Sequence, residues 1–189
     1  MNVTQLDIAG AWHIKGSRIA DHRGFFQEWY KFSALAEATG VFFNPVQANI
    51  SRSSAGVIRG IHYSIASAGQ GKLVTVMSGA IDDYVIDIRP SSPTFGQWRR
   101  VHLSSENGDA LLIDPHLGHA FQALMPDTVV SYLVSAEFDP HHEKGITPYC
   151  PSLNIPWDMS FPVTISEKDE HALTLPKAMA ENFLPPRQS

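Results

Sequence analysis

"KLVTVMSGAIDDYVIDIR", residues 72–89, is the stretch on which the fold class turns. It reads as two strands joined at Ser78-Gly79, the pattern of a β-hairpin. Similar short apolar runs lie on both sides: "PVQANIS" (45–51), "VIRGIHY" (57–63), "RRVHLS" (99–104), "ALLIDP" (110–115), "HAFQAL" (119–124) and "TVVSYLVSAEF" (128–138). Gly, Pro, Asn and Asp punctuate them, and many short strands at close spacing predict an all-β sandwich or barrel. Helical signal is scarce. "KFSALAEATG" (31–40) predicts one short helix ended by Gly40. "SEKDEHALTLPKAMAENFL" (166–184) predicts one or two more, broken at Pro176, before a frayed tail in "LPPRQS". No repeat, low-complexity tract or composition break divides the chain, so a single domain over 1–189 is expected.

A chain of 189 residues with 43% hydrophobic and 17% charged residues can bury a sizeable core while presenting few solvated charged faces. The net charge of -5 argues against a nucleic-acid coat. It leaves room for a small anion, because local charge can oppose net charge. With Cys150 the only cysteine, no intrachain disulfide can form. "MNVTQLDIAGAW" (1–12) lacks a basic region followed by an apolar run, so no signal peptide is expected. No apolar run approaches the ~18 residues of a membrane span, and a cytoplasmic protein is expected.

Strand alternation sorts the candidate site residues onto faces. Val130, Tyr132, Val134, Ala136 and Phe138 share one face of their strand, and Ser131, Leu133 and Ser135 the other. Gln47, Asn49 and Ser51 form a polar row opposite Val46, Ala48 and Ile50. Facing inward, such a row would line the pocket of a small barrel; facing outward, it is a solvated surface. "RGIHY" breaks the rule: Arg59 and His62 are three apart, so a regular strand sends them to opposite faces. Gly60 can mark a bulge that re-aims one of them. Taken alone, Arg59 reads as solvated and His62 as a hydrogen-bonded core residue.

In combination the motifs are more specific. "DHRGFFQEWY" (21–30), "QANISRSSAGVIRGIHY" (47–63), "GKLVTVMSGAIDDYVIDIRPSSPTFGQW" (71–98), "GHAFQAL" (118–124), "VSYLVSAEFDPHHEKGI" (130–146) and "ISEKD" (165–169) occur in the order of one family. The chain resembles the dTDP-4-dehydrorhamnose 3,5-epimerases of nucleotide-sugar biosynthesis over about residues 21–170. The resemblance implies a cupin-type jelly-roll barrel with a few short peripheral helices. It also implies a homodimer, no metal and no organic cofactor. The implied substrate is dTDP-4-keto-6-deoxyglucose, whose carbons C3 and C5 are inverted through loss and return of a proton next to the C4 ketone.

By the same resemblance His62 is the base, and imidazole suits that task because it titrates near working pH. Asp169 is its dyad partner, although Ser166-Glu-Lys-Asp169 by itself reads as a helix capping box. Lys72 stands beside the carbonyl oxygen, where developing enolate charge needs a donor; alone it would read as a surface lysine at a strand start. Tyr132 is the acid that reprotonates from the far side; alone it would read as a half-buried barrel tyrosine. Arg59 and Arg23 match positions that hold the diphosphate, for which the guanidinium fork is suited. Gln47, Asn49 and Ser51 match polar contacts to phosphate or sugar, and Glu28 a nucleotide contact. Phe26 and Phe138 match base-stacking aromatics, His119 lines the family pocket, and Lys168 is a further substrate contact. The "DHRGFFQE" segment reaches a partner subunit in the family, so Arg23 and Phe26 are expected to serve a neighbour's site.

A cupin metal site needs a His-x-His pair, but Tyr63-Ser64 follows His62, and His141-His142 falls in a loop after "FDP". Three positions depart from the family pattern: Ser64 where Gln is common, "GHAF" in place of "AHGF", and Leu133 where many members carry Lys. All three are expected to reshape the sugar pocket. They keep a C3-only or C5-only epimerase in view, and a noncatalytic sugar-nucleotide-binding jelly roll is the alternative from another class.

Overall fold

The computed structural model describes residues 2–185. In chain order these form β1 (Asn2–Gln5), β2 (Ala11–Lys15), β3 (Arg18–Asp21), β4 (Gly24–Gln27), α1 (Phe32–Thr39), β5 (Gln47–Ser53), β6 (Ile58–Ser64) and β7 (Lys72–Ser78). There follow β8 (Ala80–Ile86), β9 (Trp98–Ser104), β10 (Ala110–Ile113), β11 (Gly118–Ala123), β12 (Thr128–Val134), β13 (Glu143–Gly145), α2 (Glu167–Glu170) and α3 (Leu175–Ala180). A six-stranded sheet runs β1-β2-β10-β7-β12-β5 and a five-stranded sheet runs β13-β6-β11-β8-β9. All of these pairings are antiparallel. The crossing order of the strands is that of a jelly roll, as the resemblance implied. β3 and β4 form a separate two-stranded hairpin.

Each sheet is covered on both faces, which is why several strands read as unbroken apolar runs. Val74, Val76, Ile81, Val85, Leu103, Leu111, Ile113, Phe121 and Val130 fill the space between the sheets. The alternate residues Leu73, Ala110 and Leu112 point the other way, where they meet Trp12, Phe43 and Leu35 of α1. Ile58, Ile61, Tyr63, Tyr84 and Ile86 face outward from the second sheet under the C-terminal segment, including Trp157, Leu175 and Leu184. Burying one such side chain contributes roughly 1.5–3 kcal/mol, so both outer layers are integral to the barrel's stability.

The helix predicted over 31–40 is α1. Gly40, at φ 73, caps it by donating its backbone N–H to the Ala36 carbonyl at 2.8 Å. Two other expectations are corrected. The first is the hairpin at Ser78-Gly79: β7 and β8 belong to different sheets and do not pair. Gly79 is instead a corner between sheets, at φ 79, where an added Cβ would collide with Thr128 Oγ1. A hairpin and a corner use the same glycine between the same apolar runs, so local sequence does not separate them. The second is the break at Pro176: two helices form as expected, α2 and α3, but they separate before Leu175, and Pro176 sits in the first turn of α3, where a missing N–H costs the helix nothing. The frayed tail expected over 184–189 is also corrected in part. Leu184 is buried in the outer layer, and residues 186–189 lie outside the described residues.

Candidate active site

Gly60 decides which way β6 presents its side chains. The pairing of β6 with β11 slips between His119↔His62 and Phe121↔Arg59. Ile58, Ile61 and Tyr63 therefore all face the outer layer, although Ile58 and Ile61 are three apart. His62 turns into the barrel, as the bulge reading allowed, while Arg59 lies on the same side of the strand but stays exposed, as a solvated arginine was expected to be. Only glycine is accommodated at the slip: φ is 120° and a Cβ would lie 2.6 Å from the His119 carbonyl oxygen.

The polar row of β5 also faces inward, while Ile50 on the same strand is 74% exposed. Gln47 and Asn49 of that row join His62, Gln70, Lys72, Tyr132, Phe138, Glu143 and Lys168 around one cavity of about 280 Å³. His62 hangs from the five-stranded sheet, and Lys72 and Tyr132 from the six-stranded one. Base and acid candidates thus approach one space from facing walls. Lys72 is in phase with Val74 and Val76, and Tyr132 with Val130, so the core alternation itself aims them inward.

His62 Nε2 lies 2.7 Å from Asp169 Oδ1, and Asp169 Oδ2 accepts the Gly60 backbone N–H at 3.3 Å. Burial pushes the Asp169 carboxyl up, but the hydrogen bond and charge of His62, with help from Gly60 and Ser166, hold it below the ordinary value. An ionised carboxylate only accepts, so Nε2 of the imidazole carries the proton and Nδ1 keeps its lone pair. Half of the capping-box reading of Asp169 holds as well: its backbone N–H donates to Ser166 Oγ at 3.1 Å, while its carboxylate serves His62 and Gly60 rather than closing the box on the Ser166 N–H. Backbone caps the helix while side chain orients the imidazole, so the two roles do not compete.

Lys72 is almost fully buried, and its Nζ donates to Gln70 Oε1 at 2.9 Å. Burial pulls its pKa down and the charge of Glu143 opposes that pull. Burial pushes the Tyr132 phenol up, with Arg59 lowering and Glu143 raising it further. The phenol therefore keeps its proton at neutral pH, the form an acid needs.

The remaining candidates divide. Gln47 Nε2 donates to Asn49 Oδ1 at 2.8 Å, and Gln47 Oε1 accepts the Phe138 backbone N–H at 3.0 Å. Phe138 is exposed at the cavity mouth and Lys168 sits on its rim. Arg59 lies beside this wall, donating to Ser53 Oγ at 3.1 Å and to the Arg52 carbonyl at 3.2 Å. Ser51 faces inward with its Oγ buried and unpartnered among the described residues. His119 is opposite His62 in register, but its Nε2 is engaged with Asp83 Oδ1 at 2.5 Å and it does not line the cavity. Arg23, Phe26 and Glu28 are not brought to this cavity within the chain. Arg23 pairs with Asp21 on the exposed hairpin, while Phe26 and Glu28 border a different cavity of about 450 Å³.

Gln70 and Glu143 line the cavity although neither was singled out from sequence. Gln70 is two positions before Lys72, which is the spacing of one strand face, and Glu143 lies inside a motif with no assigned role. Two of the three departures are also relocated. Leu133 packs in the layer under α1, and Gly118 lies against Ile61 Cγ2 on the outer face. Neither touches the cavity, because alternation turns them away from it. Ser64, in phase with His62, is the one with an inward position; its Oγ accepts from the Ala66 backbone N–H at 3.2 Å. Among the described residues no three His, Cys, Asp or Glu side chains converge as metal ligands. No helix among them is long and apolar enough to cross a membrane.

Fold and site together define a class: a jelly-roll isomerase that moves protons at carbon. Residues 5–177 match the family model described as dTDP-4-dehydrorhamnose 3,5-epimerase. The chain is 40% identical over 185 residues to the dTDP-4-dehydrorhamnose 3,5-epimerase of Mycolicibacterium smegmatis, covering 98% of this chain and 91% of that one. It is 38% identical over 185 residues to a dTDP-4-dehydrorhamnose 3-epimerase of Streptomyces niveus, covering 98% and 89%. A solved dTDP-6-deoxy-D-glucose-3,5-epimerase of Legionella pneumophila, in complex with dTDP-4-keto-L-rhamnose, has a TM-score of 0.93 at 37% identity, covering 100% and 99%. The chain belongs to the dTDP-4-dehydrorhamnose 3,5-epimerase family.

Proposed function

We propose that the chain epimerises a dTDP-4-keto-6-deoxyhexose at C3, C5 or both, with His62, Lys72 and Tyr132 performing the chemistry. The observation that carries this reading is the shared cavity: imidazole and phenol reach it from opposite sheets, with a buried lysine between the cavity and the core. A carbon acid next to a ketone needs a base on one face, a donor at the oxygen and an acid on the other face. Nδ1 of His62 takes the proton. Asp169 stabilises the imidazolium that forms. Lys72 donates to the enolate oxygen, a contribution worth several kcal/mol in a water-poor site. Tyr132 returns a proton from the opposite wall, and its phenolate is the smaller burden with Arg59 close by.

Around the reacting groups, Arg59 and the Gln47, Asn49 and Ser51 row hold the diphosphate and sugar, Phe138 stacks on the base at the cavity mouth, and Lys168 closes the rim. Arg23, Phe26 and Glu28 serve the cavity of a second copy in a homodimer. Ile19, Phe25 and Phe26 are all exposed on the β3–β4 hairpin, an apolar surface that a partner would cover. The enzyme works as one cytoplasmic domain.

The test is solvent exchange. Incubated in heavy water with the thymidine-linked 4-ketosugar, the protein is expected to place deuterium at C3, at C5 or at both, read by proton NMR. One exchanged carbon marks a monoepimerase and two a 3,5-epimerase. His62→Ala should abolish exchange while binding of dTDP stays close to that of the parent. Binding without exchange by the unmodified chain would reduce it to a sugar-nucleotide-binding module.

A further inference from the structure

We propose that Glu143 is a positioning residue of the reaction: its carboxylate is the counter-charge that holds the Lys72 ammonium in the cavity. The inference rests on the epimerase reading above for its catalytic consequence, though not for its physical content.

The argument starts from a charge count. The cavity wall contains the cations Lys72 and Lys168, the titratable groups His62 and Tyr132, and one carboxylate, Glu143. Arg59 adds a further cation beside Tyr132. Asp169, the other nearby carboxylate, is engaged with His62 and Gly60. Lys144, next to Glu143 on β13, turns away and lies 5.5 Å above the Phe183 ring. Burying an ammonium is costly unless something compensates it. Among the described residues the only hydrogen-bond partner of Lys72 Nζ is the neutral amide of Gln70. Glu143 is therefore the group available to offset that charge.

Its placement is built, not incidental. β13 pairs with β6 so that Glu143 lies opposite Ser64 and Gly145 opposite His62, and the Glu143 backbone N–H is tied to the Asp139 carbonyl at 3.0 Å. The side chain is half-buried, and among the described residues its carboxylate makes no ion pair. Set back from Lys72, it stabilises the ammonium through space without occupying the donor that must meet the carbonyl oxygen. The same charge disfavours ionisation of Tyr132, so one carboxylate biases both groups toward the protonated forms the reaction uses.

The primary measurement needs no substrate. Lysine labelled with 13C at Cε and 15N at Nζ is incorporated, and the Lys72 signal is assigned by its loss in Lys72→Met. In Glu143→Gln the Lys72 ammonium should lose its proton at a lower pH than in the parent, an affinity change of about tenfold. Glu143→Asp should keep most of the parent behaviour. If Glu143→Gln does not fold, Glu143→Ala read by the same Lys72 signal gives the second measurement, and it should lower the Lys72 titration in the same direction. In the exchange assay the alkaline limb of kcat should move to lower pH in Glu143→Gln with KM unchanged. An unmoved Lys72 titration, or an effect confined to KM, would overturn the proposal. If the parent shows no exchange at all, the epimerase reading fails while the Lys72 titration still decides this one.

Discussion

Replacing Asp169 by asparagine tests the dyad at the level of a single proton. The substitution keeps the size of the side chain and leaves the Ser166 cap intact, because that bond uses the Asp169 backbone N–H. What changes is the acceptor pattern. Gly60 N–H still asks for an oxygen at the Oδ2 position, so the amide nitrogen turns toward His62 Nε2. An amide nitrogen donates, which obliges Nε2 to accept and moves the ring proton to Nδ1, the atom that should be the base. Restoring the productive tautomer means breaking one or two hydrogen bonds of about 1–1.5 kcal/mol each. The imidazolium also loses the charged partner of its hydrogen bond, a further ~1–2 kcal/mol. Together these predict a fall in exchange rate of roughly 10²–10³-fold, with dTDP affinity unchanged. The assay is deuterium incorporation by proton NMR, accompanied by 15N spectra that report which ring nitrogen of His62 is protonated. A loss of less than threefold, or an Nε2-protonated ring in the variant, would refute the reasoning.

Three further outcomes follow from the geometry. Tyr132→Phe removes the acid but leaves His62, Asp169 and Lys72 in place, so wash-in of deuterium with retained configuration should fall less than completed inversion; equal losses in NMR and product analysis would count against the acid role. Gly60→Ala places a Cβ 2.6 Å from the His119 carbonyl oxygen at φ 120°, so chemical denaturation should show a loss of about 2–3 kcal/mol or more together with a weakened exchange rate. Asp114→Asn should stabilise the protein at pH 8. Burial raises the Asp114 carboxyl from 3.8 to about 6, against the pull of Arg89, so folded Asp114 loses stability as pH rises through that window and carries the full penalty above it. That shift corresponds to ~3 kcal/mol, reduced to about 1–2 by partial contact with solvent. Thermal melts should therefore rise by about 3–6 °C at pH 8 and change little near pH 4.

The strands and their faces were legible because alternation survives translation into three dimensions. Gln47 and Asn49 share a face in "QANIS", and they share a cavity wall in the barrel. Tyr132 was in phase with Val130, and Val130 is core. The broken alternation in "RGIHY" correctly marked a bulge, and Gly60 supplies it. What sequence could not supply was the identity of each partner strand. Ser78-Gly79 looks the same whether the chain folds back on itself or crosses to the other sheet, and only the packing of β7 between β10 and β12 chooses. Leu133 and Gly118 read as pocket residues only through the family pattern; alternation already sets Leu133 opposite Tyr132, and both lie in outer layers. Roles for His62, Asp169, Lys72 and Tyr132 came from their order within a family. Their convergence depends on contacts more than one hundred residues apart, such as the His62–Asp169 pair with a separation of 107.

Because the imidazole and the phenol are carried by different walls, the gap between them is a property of the core. Enlarging or trimming a side chain such as Val74 or Phe121, which never meets the sugar, shifts one wall relative to the other. The distance across which a proton must be handed from one face to the other is thus adjustable from afar, by side chains that only prop the walls apart.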